Sequence, residues 1–352
     1  MEKFTILGLM SGSSLDGLDI AHCEFYFEDS KWEYKIIKVQ TFTYNEEWLL
    51  KLRELPKQKA KEIAKTDIEY GKLTAGFVNE FLKQYKIKPD LIASHGHTIF
   101  HEPAQGFTFQ LGNGKIIASE TGIKTICDFR TKDIMLGGQG APLVPIGDKY
   151  LFGEFDFCLN LGGIANISFE ENGQMTAFDI CGANQILNHL SLQAGKPYDA
   201  NGNIASLGKM NRELFNLLNS DPFFRLQAPK SLSNKYVRTN FINVVDNFNC
   251  PLEDKLFTVV KHIAFQANNA IKNLAQGKLL ISGGGTHNSF LVTAIKREIK
   301  HEIIVPDNKT IDFKEALIFA FMGVLRNLNQ TNCLASVTGA KDDCSGGVIF
   351  LP

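Results

Sequence analysis

Two stretches of this chain follow one pattern, in which three apolar runs separated by short turns lead into a helix. In the first, residues 4–10, 18–27 and 33–43 read as strands, and Ile63, Tyr70, Leu73, Phe77 and Phe81 keep a helical period between Lys57 and Tyr85. In the second, Phe155–Leu161, Ile164–Phe169 and Met175–Asp179 read as strands, parted by Gly162-Gly163 and Glu171-Asn-Gly173, with a helix over 184–194. A repeat of this length predicts two related α/β domains facing a cleft, not a solenoid. The chain has 352 residues, 44% of them hydrophobic, which is enough for two such cores. Gly137-Gly-Gln-Gly-Ala-Pro142 is the clearest break and sets the expected domains at 1–136 and 137–335, with residues 336–352 able to rejoin the first. Helices over 209–219, 255–275, 289–300 and 312–328, interrupted by a strand at Lys278–Ser282, enlarge the second domain.

The turn at the head of the first repeat, Gly8-Leu-Met-Ser-Gly-Ser-Ser-Leu-Asp-Gly-Leu-Asp19, carries the clearest chemistry. Glycine and serine there leave backbone N–H groups open to an anion, and Asp16 and Asp19 could hold the water shell of a cation. An ordinary hairpin with a polar tip would look the same. Two further strands, Pro89–Ser94 and Lys124–Phe129, end in Ser-His-Gly-His-Thr and Asp-Phe-Arg. Polar residues at the C-terminal ends of strands mark the ligand edge of an open α/β sheet. The strand at 278–282 ends in Gly283-Gly284-Gly285-Thr-His-Asn288, where backbone can approach a flat or anionic ligand, although a tight strand-to-helix turn explains it almost as well.

Other readings are excluded or weakened. A net charge of -1 provides no general attraction to nucleic acid or anionic membrane, and the 27 phenylalanines are scattered at core-like positions. Seven cysteines without a Cys-x-x-Cys suit a reducing compartment, and no run approaches the ~18 apolar residues needed to span a bilayer, so a cytoplasmic protein is expected. Neither a P-loop nor a Gly-x-Gly-x-x-Gly turn after a strand is present. Leu317–Leu325 is assigned to the core, with a homodimer interface as the alternative.

A phosphate turn at the start of each repeat resembles the actin, sugar-kinase and heat-shock-chaperone superfamily, in which two ribonuclease H-like domains close on ATP. Within it the chain resembles the anhydro-N-acetylmuramic acid kinases of bacterial wall recycling. The resemblance is carried in order by MSGSSLDGLD at 10–19, SHGHTIFHEP at 94–103, DFR at 128–130, GGQGAPLVP at 137–145, NLGGIANI at 160–167, FDICGAN at 178–184, PKS at 229–231, GGGTHN at 283–288 and EALIFAF at 315–321. It implies an ATP- and magnesium-dependent enzyme that hydrolyses the 1,6-anhydro bond of its sugar and phosphorylates the freed O6. Asp179 matches the family's general base. Gly12, Ser13, Ser14, Leu15, Asp16, Gly17, Leu18 and Asp19 match its ATP phosphate segment, Gly162 and Gly163 form the second phosphate turn, and Gly283, Gly284 and Gly285 fall where the superfamily holds adenosine. His95, Asp128 and Arg130 are the candidate sugar contacts. The magnesium ligands are not identified by the resemblance.

The family's Thr-Gly-Pro-Gly-Asn after the base is here Ile180-Cys-Gly-Ala-Asn184, so the loop beside it is altered. Four alternatives stay open. A non-catalytic nucleotide- or glycan-binding protein could use the same scaffold. His95, His97 and His101 have a spacing that could ligate zinc in a hydrolase. At single residues, Asp179 could be a helix N-cap, and Asp128 with Arg130 a structural ion pair.

Overall fold

In each half of the chain the first strand is the middle of a sheet and is covered on both faces, which is why it is written in almost unbroken apolar residues. The computed structural model describes residues 2–12 and 15–352; Ser13 and Ser14, two of the expected phosphate contacts, lie outside the described residues. The strands, in chain order, are β1 (Glu2–Ser11), β2 (Leu18–Glu28), β3 (Lys31–Phe42), β4 (Leu91–Glu102), β5 (Phe107–Leu111), β6 (Thr125–Cys127), β7 (Phe157–Leu161), β8 (Ile164–Glu171), β9 (Gln174–Gly182), β10 (Lys278–Ser282), β11 (Glu302–Ile304) and β12 (Val348–Phe350).

The first sheet runs β12-β6-β4-β1-β2-β3, with β5 paired to β4, and the second runs β11-β10-β7-β8-β9. In both, the first three strands form an antiparallel meander and the next strand lies parallel to the first on its other side. The connection from the third meander strand to the next strand thus crosses the sheet, and the strand order is that of a ribonuclease H-like fold in each half. The duplication inferred from the apolar pattern is present in the topology.

The chain divides into one compact unit of Met1–Phe152 with Phe313–Pro352 and another of Gly153–Asp312. The expected boundaries at 137 and 335 differ from this division, and the reason is visible in the packing. Gly137–Gly140 is docked into the first unit: Gly140 N–H donates to the buried Asp133 carboxylate at 2.7 Å, Gln139 N–H to the Thr338 carbonyl at 2.8 Å, and Arg130 to the Gly140 carbonyl. The long helix Asn308–Asn327 returns the chain to the first unit well before residue 335 because its small residues meet the sheet. A Cβ on Gly8 would strike the Ala316 carbonyl, and one on Gly323 would lie 2.5 Å from Ala93 Cβ. Phe321 of the same helix packs on Phe25 (5.5 Å) and Trp32 (5.2 Å), so the apolar run 317–325 is core.

The helix Ala60–Tyr85 covers the other face of the first sheet, burying Thr66, Tyr70, Thr74, Val78 and Phe81 at helical spacing and stopping at Lys86 in the left-handed region. In the second unit the core gathers Leu159, Ile167 and Ile180 against Leu256 and Ile263 of the helix Leu252–Ile271. The added helices between β9 and β10 include Arg212–Asn219, capped by Asn211. No described helix is long and apolar enough to cross a membrane.

The expected loop Ser94-His-Gly-His-Thr98 is strand: β4 continues to Glu102 and turns back through β5, so the three histidines sit on a hairpin. Because Gly8 sets how closely the long helix approaches β1, Gly8→Ala should lower unfolding free energy by about 1–3 kcal/mol through overpacking, read as a lower denaturation midpoint in urea.

Candidate active site

In the second unit the polar residues form a row. Ser282, Asn160, Asn166 and Asp179 are successive register partners across β10, β7, β8 and β9, so their side chains project from one face of the sheet. A register shift between Ala165 and Asn166 sets this alignment. Asp179 N–H donates to the Lys230 carbonyl at 3.0 Å, and Leu232 N–H donates to Asp179 Oδ2 at 2.7 Å, so the segment around residues 230–232 lies along β9 and fixes one carboxylate oxygen. Burial pushes the Asp179 carboxyl up to about 6, against the opposing pull of the Leu232 amide. Asp179 caps no helix: the helix Asn184–Leu192 begins after Ala183, and its first amides donate to the carbonyls of Gly162 and Gly163. Lys230 stands beside this aspartate with its ammonium 4.6 Å from the Phe223 ring centroid and 5.8 Å from that of Phe178.

The two glycine turns meet at the C-terminal ends of β7 and β10. Gly283, with φ of +83°, and Gly285 both press on Leu161, where a Cβ would lie 3.0 Å and 2.9 Å from its carbonyl oxygen. Gly284 is different, for a Cβ there meets nothing within 4 Å. Only the outer two glycines are therefore demanded by the fold, and the middle one keeps an open surface. The turn is a short 3₁₀ helix, Gly284–His287, and the longer helix Ser289–Glu298 starts from the Asn288 cap.

In the first unit the hairpin between β1 and β2 is anchored by a buried relay that the apolar pattern does not reveal. Tyr44 OH donates to Ser11 Oγ at 2.8 Å, Ser11 Oγ lies 3.0 Å from His97 Nδ1, and Tyr70 OH is 2.6 Å from Tyr44 OH. Since Tyr44 has one proton and gives it to Ser11, Tyr70 is the donor to Tyr44. Burial drives His97 down to about 4, which keeps the ring neutral at neutral pH. Ser11 immediately precedes Gly12, so the relay fixes the entry to the hairpin. At its exit Thr41 Oγ1 donates to Asp19 Oδ1 at 2.5 Å. Leu15 takes a left-handed conformation, φ 60°, and its N–H reaches the Gly12 carbonyl at 3.4 Å.

Of the expected sugar contacts, His95 and Arg130 come together and Asp128 stands apart. Arg130 Nε and Nη2 lie 3.1 Å and 2.8 Å from His95 Nε2, and His95 Nδ1 is 2.9 Å from the Gly96 carbonyl. His95 is thus neutral, with its Nδ1 proton on the Gly96 carbonyl, and burial followed by the Arg130 charge holds it well below the usual histidine range. Asp128, at φ 60°, accepts from Thr131 N–H at 3.3 Å and does not pair with Arg130. The ion-pair reading of Asp-Phe-Arg is corrected by these partners. The zinc reading fails on the same geometry: His95 is turned to Arg130, His97 to Ser11 and His101 to Thr108 Oγ1, and no group of three metal-ligating side chains converges among the described residues.

Comparison with known proteins then places the chain. A family model described as anhydro-N-acetylmuramic acid kinase matches residues 4–352. The protein of that name from Mannheimia succiniciproducens is 34% identical over 374 residues, covering 99% of this chain and 100% of the relative. Its namesake in Actinobacillus pleuropneumoniae serotype 7 is 35% identical over 376 residues, with the same coverage, and the one in Saccharophagus degradans is 32% identical over the full length of both. With both repeats, the row ending in Asp179 and the glycine turns lying inside that match, the chain belongs to the anhydro-N-acetylmuramic acid kinase family.

Proposed function

We propose that this enzyme uses ATP to convert 1,6-anhydro-N-acetylmuramic acid into N-acetylmuramic acid 6-phosphate, with Asp179 as the general base. The observation that carries the reading is the Asp179 carboxylate itself. One oxygen is held by the Leu232 amide, and partial burial brings its acidity close to neutrality, where a base is both ionised and able to take a proton. Asp179 takes a proton from water, the water oxygen bonds to C1 and the C1–O6 bond breaks; O6 then bonds to the γ-phosphorus as its bond to the β–γ bridging oxygen breaks, ADP leaves, and Asp179 returns its proton to solvent.

The remaining residues are assigned by the same chemistry. Gly12, Ser13, Ser14, Leu15, Asp16, Gly17, Leu18 and Asp19, with Gly162 and Gly163, serve the phosphates. Gly283, Gly284 and Gly285 serve the adenosine, with the open face of Gly284 against it. His95, Asp128 and Arg130 contact the sugar, and the neutral His95 offers an orienting surface for Arg130 rather than a competing charge. A magnesium nucleotide needs only one or two carboxylates beside water and phosphate oxygens, and the hard oxygen donors Asp16 and Asp19 on the first hairpin fit that need. When bound, the metal offsets phosphate charge during transfer.

Reaction in ¹⁸O-labelled water tests the coupling. The label should appear at the anomeric oxygen of the product and not in phosphate, and Asp179→Asn should slow product formation by ~10²–10⁴-fold. Label in free phosphate would identify an uncoupled ATPase instead, and near-normal turnover of the variant would remove Asp179 from the mechanism. Because a side chain at residue 284 has room, Gly284→Val should fold normally yet bind ATP at least roughly tenfold more weakly, a loss of ~1.4 kcal/mol by calorimetry.

A further inference from the structure

Cys333 and Cys344 are joined by an isolated antiparallel bridge outside both sheets. Cys333 N–H donates to the Cys344 carbonyl and Cys344 N–H to the Cys333 carbonyl, each at 3.0 Å. Such a reciprocal pair sets the two Cα atoms about 5.5 Å apart, within the span of a disulfide. Both residues are buried and both are free thiols. No two of the other five cysteines are register partners among the described residues.

The pair also sits where a change would be felt. Cys333 Sγ lies 3.5 Å from the Phe129 carbonyl and 3.4 Å from Asn332 Oδ1, the two acceptors for its single proton. Phe129 is the middle residue of the Asp128–Arg130 turn. The twelve-residue loop closed by the bridge holds Thr338, whose Oγ1 donates to Asp133 at 2.7 Å and whose carbonyl accepts from Gln139 N–H at 2.8 Å. Asn332, fully buried, braces the base of the loop through the Met322 and Gly346 carbonyls. The neighbouring Cys333 holds Cys344 below the ordinary thiol range, and the neighbouring Cys344 together with burial lifts Cys333 above it. Cys344 directly follows the exposed residues Lys341, Asp342 and Asp343, so it is the sulfur that a local opening presents first.

We propose that Cys333 and Cys344 form a redox modification site: exchange with a low-molecular-weight disulfide converts them to an intrachain disulfide and, by withdrawing the Cys333 thiol from the Phe129 carbonyl, loosens the Asp128–Arg130 turn. In the first step the Cys344 thiolate attacks one sulfur of the small disulfide and expels one thiolate, giving a mixed disulfide. In the second, Cys333 loses its proton to solvent, attacks the Cys344 sulfur and expels the other thiolate. Two protein thiols are oxidised and one small disulfide is reduced to two thiols.

The test uses the full-length protein equilibrated with oxidised glutathione, then alkylated and mapped by mass spectrometry without reduction. A peptide pair linked through Cys333 and Cys344, reversed by dithiothreitol, is expected. Glutathione remaining on Cys344 alone, linkage through other cysteines, or no modification would each overturn the site. Hydrogen exchange of the oxidised protein should show the Thr131 amide, which donates to Asp128, exchanging roughly fivefold faster, the scale of one weakened hydrogen bond; unchanged exchange in linked protein would overturn the loosening. Both readouts use the wild-type chain and are independent of catalysis. An accompanying rise of the sugar KM on oxidation, absent in Cys344→Ser, rests on the function proposed above. A linked and loosened protein with no sugar turnover even when reduced would count against that function and leave this site supported.

Discussion

Each unit is governed by one constraint, the double covering of its first strand. β1 has Leu7 and Leu9 buried among one set of apolar side chains and Ile6 and Gly8 against the long returning helix, so its central stretch from Ile6 to Leu9 has no place for a polar group. Only the C-terminal end of such a strand, and of the parallel strand beside it, opens to polar chemistry. That is where Ser11 meets His97 in one unit, and where Asn160 meets Ser282 in the other. Apart from His95, which sits inside β4, the residues assigned to substrate lie near a strand end, on one of the turns that follow, or on a meander strand paired to it. The small residues Gly8, Ala93 and Gly323 act at a distance from this chemistry, since they set the spacing of the layers from which the strand ends emerge.

Burial then sorts the ionisable groups by role. The same desolvation that raises Asp179 lowers His97 and His95, because in each case the charged form loses water. The consequences differ. A histidine held neutral keeps one ring nitrogen as an acceptor, as His95 does for Arg130, whereas a carboxylate shifted toward neutrality gains the acidity range of a base. Structural and chemical roles thus follow from one physical effect acting on different residue types.

How much of this is legible in the sequence depends on the range of the interactions involved. The meander strands announce themselves locally, as does the helix 60–85, and the polar ends of β4, β6 and β10 are visible as Ser-His-Gly-His, Asp-Phe-Arg and Gly-Gly-Gly. The three-residue strands β11 and β12 are too short to carry a period, and β4 reads as a loop beyond Ser94 because its continuation is specified by β5, which is not itself evident. Gly137–Gly140 looks like a linker by composition; it is packed because Thr338, two hundred residues later, and Asp133 and Arg130 bind it. The Ser11 relay draws on residues 44, 70 and 97, and the Asp179 carboxylate on the Leu232 amide, none of which a linear pattern connects. The Asp179 position is legible only through the family motif, and the altered residues 180–183 beside it leave its backbone pairing with Lys230 in place.

The raised pKa of Asp179 carries a cost for folding. A carboxyl whose folded pKa lies above its unfolded value binds its proton more tightly in the native state, so its ionisation favours the unfolded chain. The native state is therefore least burdened below about pH 4, and the burden grows as pH rises through about 6, where the group ionises in the folded protein. At neutral pH the penalty is of order 2–3 kcal/mol as an upper bound, since the carboxylate keeps some contact with solvent. Asn at this position removes the charge while leaving an oxygen to accept the Leu232 N–H. Asp179→Asn should consequently be more stable than wild type at pH 7 and nearly equal to it at pH 4, a difference measurable as a denaturation midpoint that diverges between the two proteins only as pH rises. Equal stability of the pair at both pH values would mean that the carboxylate is well solvated and that its suitability as a base arises from substrate binding instead.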